Sequence, residues 1–210
     1  MVLPVDGEDI VVTVRPHDGP KAIVYFGGNA EDVSRNLATY ARAFPDHALY
    51  LMHYRGYGGS TGRPSEAANV ADGVALMERV RARHPEVTVV GRGLGSGVAV
   101  QVAGRLGAAR LVLITPYDNL VDVAATIYPF VPVRWLMREP YDAGRVAPSL
   151  RIPTVLIAAE HDTVIPRAST DRLLGRFAPG VATLTVIPGA GHNDLSEDPA
   201  YLAALQAGVR

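Results

Sequence analysis

No cysteine occurs among the 210 residues, which removes disulfides and thiolate chemistry but leaves the redox compartment open. No apolar run approaches the ~20 residues a membrane-spanning helix requires. Met1 to Gly7 have no signal-peptide character, so a cytoplasmic location is the expectation. Excess charge of either sign is missing too. Twenty Lys and Arg against 21 Asp and Glu leave a net charge of −1, giving no electrostatic reason to bind nucleic acid or an anionic membrane. Internal repeats, low-complexity tracts and long linkers are absent. What remains is an ordinary globular composition, 48% hydrophobic and 20% charged, of a length that suits one domain over residues 1–210.

Within that length, short apolar runs alternate with longer segments of helical pattern, the signature of an α/β chain with a mostly parallel, doubly wound sheet. Strands are expected at Ile10–Val14, Ala22–Phe26, Ala48–Tyr54, Val87–Val90, Leu111–Ile114, Thr154–Ala159 and Ala182–Ile187. Helices are expected at Val33–Phe44, Glu66–Arg83, Gly95–Leu106, Arg167–Phe177 and Pro199–Gly208. The strands are continuously apolar, as they are when both sheet faces are covered. Residues 116–152 break the rhythm. Five prolines there forbid one long helix, and the apolar cluster around Tyr128, Phe130, Trp135 and Met137 reads either as a small cap over the sheet edge or as a core-covering connection.

The most consequential absence is a side chain at residue 93. Val87 to Gly97 run from an apolar strand into Gly-Arg-Gly-Leu-Gly-Ser-Gly and then a small-residue helix. That is the strand–turn–helix context of a nucleophile elbow, G-x-S-x-G, with glycine where the nucleophile belongs. Phe26-Gly-Gly-Asn-Ala30 follows an earlier strand, and the Gly27-Gly28 pair lets backbone N–H groups face a cleft. The N–H groups of Asn29 and Leu94 are the expected oxyanion donors. Asp162 and His192 each lie just past a strand's carboxyl end, the edge at which open α/β sheets build their sites. A carboxylate there can orient an imidazole that moves protons. Glu160 is the neighbouring candidate for that acid, and Asp162 is preferred. Gly28, Tyr128 and Trp135 are expected to line the substrate site. Ser96 is expected to be buried with its hydroxyl on a backbone carbonyl, and so not to attack. Arg55, in a Gly- and Tyr-rich loop, is expected to hold that loop by pairing a carboxylate. His161 is read as structural, and His17, His47 and His84 as surface residues.

Taken together, Tyr25-Phe-Gly-Gly-Asn-Ala30, Tyr54-Arg-Gly-Tyr-Gly58, Gly91 to Gly97, Pro116-Tyr-Asp-Asn-Leu120 and Pro188-Gly-Ala-Gly-His-Asn-Asp194 resemble the small bacterial α/β-hydrolase-fold serine hydrolases. These are related to the animal α/β-hydrolase-domain depalmitoylases and lysophospholipases. The resemblance runs from Lys21 onward. It implies an α/β-hydrolase fold with a small cap insertion at about 116–152, carboxylesterase or thioesterase chemistry by a Ser-His-Asp triad, a small-molecule ester or thioester substrate, and no metal or cofactor. Gly93 departs from the pattern, as does the missing N-terminal membrane segment or lipidated Cys-rich tail of many relatives.

Three readings of Gly93 follow. The chain is a nucleophile-less, nearly inactive variant of a working hydrolase; or it is a natural pseudoenzyme that binds a small ligand in a retained pocket; or the glycine-rich turn binds a dinucleotide. The third fails twice. G-x-G-x-x-G/A would put Ser96 at its last position, and Leu111–Ile114 ends in Thr-Pro rather than in an acidic ribose ligand. Acyl chain, leaving group and oligomeric state stay open at this level.

Overall fold

The computed structural model describes all 210 residues. Eight strands make one sheet: β1 (Val2–Val5), β2 (Glu8–Arg15), β3 (Lys21–Phe26), β4 (Ala48–Met52), β5 (Glu86–Arg92), β6 (Arg110–Ile114), β7 (Thr154–Ala159) and β8 (Ala182–Ile187). Their order is β1-β2-β4-β3-β5-β6-β7-β8. β1 pairs antiparallel with β2, and β2 with β4, while all pairings from β4 through β8 are parallel. β1 escapes the sequence reading. It is joined to β2 by Asp6-Gly7, both at positive φ (49° and 80°), the two-residue turn whose twist matches that of the strands it connects.

Alternation along each strand sorts its side chains to two cores. From β3, Ala22, Val24 and Phe26 enter the larger core, and Ile23 and Tyr25 the smaller one. Helices α2 (Glu66–Arg81), α3 (Leu94–Leu106) and α7 (Arg167–Arg176) cover the first face; α1 (Leu37–Ala43) and α8 (Pro199–Val209) cover the second. Capping residues begin α2 and α8. The Ser65 hydroxyl accepts from the Ala68 N–H (3.1 Å), and the Asp198 carboxylate accepts from the Ala200 N–H (2.7 Å) ahead of Pro199. The helix expected over Val33–Phe44 is split into a 3₁₀ turn, Val33–Asn36, and α1.

The proline-rich stretch divides between its two readings. It contains α4 (Leu120–Ile127), the single turns α5 (Val133–Leu136) and α6 (Ala143–Val146), and a 3₁₀ turn at Ala147–Ser149. Tyr141, Ala143, Ala147 and Leu150 join the larger core. Residues 127–136 instead stand largely in solvent.

Two histidines read as surface residues are buried. His47 is 6% and His84 4% exposed. The His84 imidazole is matched at both nitrogens, by Tyr50 Oη (3.1 Å) and the Gly19 carbonyl (2.8 Å), and His47 packs edge-on against Phe44 with Nδ1 on Asp46 (2.9 Å). An imidazole whose nitrogens find such partners carries little desolvation penalty. Burial pushes the His47 pKa below its ordinary value against the opposing pull of Asp46.

Arg55 does hold its loop. Its Nε and Nη2 donate to the two oxygens of Asp72 (2.9 and 2.7 Å), which is fully buried on α2. Arg55→Ala would leave that carboxylate unpaired, at an expected cost of about 3–5 kcal/mol. Chemical denaturation should show the loss, with the Arg55→Ala/Asp72→Ala double variant less affected than the single one. An unchanged midpoint would mean the pair does not hold the loop.

Candidate active site

The turn after β5 is shaped by contact. Gly93 sits at φ 50°, ψ −120°, a left-handed conformation that glycine adopts freely. Gly95 lies against the carbonyls of Phe26 and Gly27 so closely that a Cβ there would overlap both. The elbow is thus pressed onto the carboxyl end of β3, beside the Gly27-Gly28 turn. Ser96, fully buried, donates its hydroxyl to the Gly93 carbonyl (2.7 Å), as expected from the sequence.

That neighbouring turn is held from both sides. Tyr54 Oη donates to the Gly27 carbonyl (2.9 Å), and the Gly28 N–H donates to Glu31 Oε2 (2.5 Å). Glu31 also accepts from Tyr25 Oη (2.8 Å) and Asn36 Nδ2 (2.6 Å). Burial, reinforced by the Glu31 charge, raises the Tyr25 pKa well above its ordinary value, keeping the phenol a donor. The N–H of Asn29 has no acceptor within the protein. Leu94 opens α3, where an N–H lacks an intrahelical partner. Tyr117 Oη donates to the Leu94 carbonyl (3.1 Å) and steadies that first turn.

Past β7, Asp162 is nearly buried. Its Oδ1 accepts the N–H groups of Val164 (2.9 Å) and Ile165 (2.7 Å), and its Oδ2 lies 2.8 Å from His192 Nδ1. His192 sits past β8 in a turn tied by the Gly191 N–H to Asp194 Oδ1 (2.6 Å). Arg92 Nη2 donates to the His192 carbonyl (3.2 Å). Burial works against the Arg92 charge, yet its pKa lies above the ordinary value, with the Glu31 carboxylate among the groups that favour the charged form. Glu160 turns away, its Oε2 accepting the Gly189 N–H (2.7 Å). The His161 side chain stands in solvent.

These residues meet at a cavity of about 600 Å³. Gly28, Asn29, Gly93, Leu94, Tyr128 and His192 all line it. A Cβ on residue 93 would stand 4.0 Å from His192 Nε2 and 3.8 Å from the Gly28 Cα. Trp135 is not brought in. Its side chain is 89% exposed and lies outside the cavity lining, because the single turn of α5 directs only Val133 inward. Phe130 stands outside as well. The apolar wall comes instead from α4, through Leu120, Val123, Ala124 and Ile127, and from Val164 and Ile165. The sequence reading missed α4, Glu31 and Arg92. A carboxylate three residues past Gly28, and the arginine inside Gly91 to Gly97, were the available signals.

No protein-family model matches the chain. An uncharacterized protein of Mycobacterium tuberculosis is 35% identical over 92% of this chain and 74% of its own length. The α/β-hydrolase domain-containing protein aho-3 of Caenorhabditis elegans is 29% identical over 88% of this chain, and human ABHD12B 27% over 90%. The chain spans 56% and 60% of those two proteins. Among solved structures, an esterase from Exiguobacterium antarcticum superposes with a TM-score of 0.76 at 17% identity, covering 99% of this chain and 98% of its own. A Pyrococcus furiosus esterase does so with a TM-score of 0.79 at 14% identity, covering 99% and 89%. At these identities the structures establish a shared fold.

The backbone at residue 93 makes a stability prediction. A side chain in this conformation costs on the order of 1–3 kcal/mol, partly offset because glycine is freer in the unfolded chain. Gly93→Ser is expected to lower stability by about 1 kcal/mol net, or ~2–4 °C in Tm for a chain of this size. Thermal unfolding of the pair tests this, and an equal or higher Tm for the serine form would contradict the elbow assignment.

Proposed function

We propose, on the premise of the shared α/β-hydrolase fold, that the cavity of this chain is a carboxylic ester or thioester hydrolase site complete except for its nucleophile. The observation that carries this reading is the 4.0 Å between a Cβ at residue 93 and His192 Nε2. A hydroxyl on that carbon comes within hydrogen-bond reach of the imidazole.

In the serine form, the hydroxyl oxygen attacks the acyl carbon while His192 Nε2 takes its proton and then hands it to the leaving alcohol or thiol. Asp162 accepts from His192 Nδ1 and stabilises the imidazolium as it forms. The Asn29 and Leu94 N–H groups bind the developing oxyanion, with Glu31 and Tyr54 positioning the first of them. The part of residues 116–152 that stands outside the core serves as a small cap whose first helix, α4, walls the acyl side. The chemistry needs no cofactor. With glycine at 93, covalent catalysis is lost, and the oxyanion donors and binding leave a residual effect of about 10³–10⁴ over water at best.

A p-nitrophenyl butyrate assay should show Gly93→Ser raising kcat/KM by at least about 10³-fold. Its preference should run from butyryl to octanoyl over acetyl, each buried methylene adding up to ~0.8 kcal/mol. No gain over background, together with no labelling by a fluorophosphonate probe, would overturn the reading. The retained cavity would then favour a binding protein for a small acyl ligand.

Glu31 gives a second expectation. In the Gly93→Ser background, Glu31→Ala frees the Gly28 N–H and lets the Asn29 donor drift, so kcat should fall by about 10–10²-fold with KM little changed. A rise in KM at constant kcat would show instead that Glu31 shapes substrate binding.

A further inference from the structure

Large apolar side chains are exposed chiefly in one place. Ile127, Tyr128, Phe130, Val131, Trp135 and Leu136 are 44%, 59%, 99%, 47%, 89% and 66% exposed, all within ten consecutive residues beside the cavity. From this we propose that residues 127–136 dock onto a phospholipid bilayer, with the cavity mouth facing the lipid. The docking surface stands independently of the hydrolytic assignment. Only the consequence that acyl substrates enter from the bilayer rests on it.

Three observations favour a lipid surface. First, Ile127 and Tyr128 belong both to the exposed patch and to the cavity lining, so an apolar path continues from the loop tip to the space over Gly93. Second, the loop carries little that a low-dielectric phase would penalise. Pro129 and Pro132 bring no N–H, and those of Tyr128, Val131, Val133, Trp135 and Leu136 donate to carbonyls at residues 124–132, which leaves only those of Phe130 and Arg134 without an acceptor in the protein. The one charged residue among the ten, Arg134, is paired with Asp122 (2.6 Å). Third, Trp and Tyr beside Phe and Leu are the side chains that sit well at the boundary of headgroups and acyl chains.

A second copy of the chain is the weaker occupant. Stable protein interfaces engage about 20–30 residues a side, whereas this patch is ten residues long. Side chains exposed to 99% and 89% form a protrusion that sinks into a deformable surface, not a groove that receives a helix.

Trp135 is the only tryptophan in the chain, so its fluorescence reports on this loop alone. With dioleoylphosphatidylcholine vesicles, the emission of the unmodified chain should move to shorter wavelength, the protein should co-sediment, and acyl-chain-brominated lipid should quench the signal. Phe130→Ser/Leu136→Ser, two exposed changes, should weaken partitioning by at least about tenfold with circular dichroism unchanged. Quenching of the unmodified chain decides the matter even if that variant misfolds. Unmoved emission with protein left in the supernatant would overturn the proposal. So would binding that requires added phosphatidylglycerol, or an emission shift that follows protein concentration without lipid, which marks self-association. None of these readouts requires turnover, so they stand or fall apart from the esterase assay.

Discussion

The contact between the glycine-rich turn after β5 and the carboxyl end of β3 sets the geometry of everything around the cavity. β3 and β5 are neighbours in the sheet, paired from Lys21–Glu86 to Phe26–Gly91, so their following turns emerge side by side. Gly95 closes the gap, since any side chain there would meet the Phe26 and Gly27 carbonyls. Two turns that belong to separate βα units are thereby held as one rigid floor. Asn29 and Leu94 line one cavity because the turns that carry them are packed together at Gly95, not because either loop is stiff alone.

Around that floor, polar side chains lock what packing leaves loose. Glu31 and Tyr54 take one donor and one acceptor of the Gly27-Gly28 turn. Tyr117 takes the Leu94 carbonyl. Asp162 is fixed by two backbone N–H groups before it meets His192. Each lock consumes the hydrogen-bonding capacity of groups that would otherwise compete for a ligand, leaving a small set of unsatisfied groups facing the cavity. Such selective satisfaction is the physical content of preorganisation.

The parallel strands were legible in the sequence because burial on both faces makes them continuously apolar, and Asp162 and His192 because they follow such strands directly. β1 was not, since an isolated four-residue edge strand has no pattern of its own and is specified by the Asp6-Gly7 turn. Burial of His84 depends on Tyr50 and Gly19, 34 and 65 residues away, which no local pattern encodes, whereas the partners of His47, Phe44 and Asp46, are neighbours in the chain. Trp135 and Phe130 show the opposite failure. Hydrophobicity alone does not distinguish a side chain that lines a cavity from one that stands beside its mouth; the direction of a single helical turn decides, as it does between Val133 and Trp135.

The features around residue 93 differ in what they imply. Packing alone demands Gly95, so a binding protein on this fold would keep it as strictly as an enzyme. Packing does not demand the state of His192. Its Nδ1 is committed to Asp162, and its Nε2 has no partner within the protein while lining the cavity opposite residue 93. The His192 side chain is partly exposed and its Nε2 faces the cavity, where solvent or a ligand can meet it, whereas both nitrogens of the buried His84 are taken up by the protein. The imidazole at 192 is oriented on one side and left open on the other, which is the arrangement a proton-transferring group requires. The case for chemistry at this site therefore rests more on the unpaired Nε2 than on the glycine-rich turn that first draws attention to it.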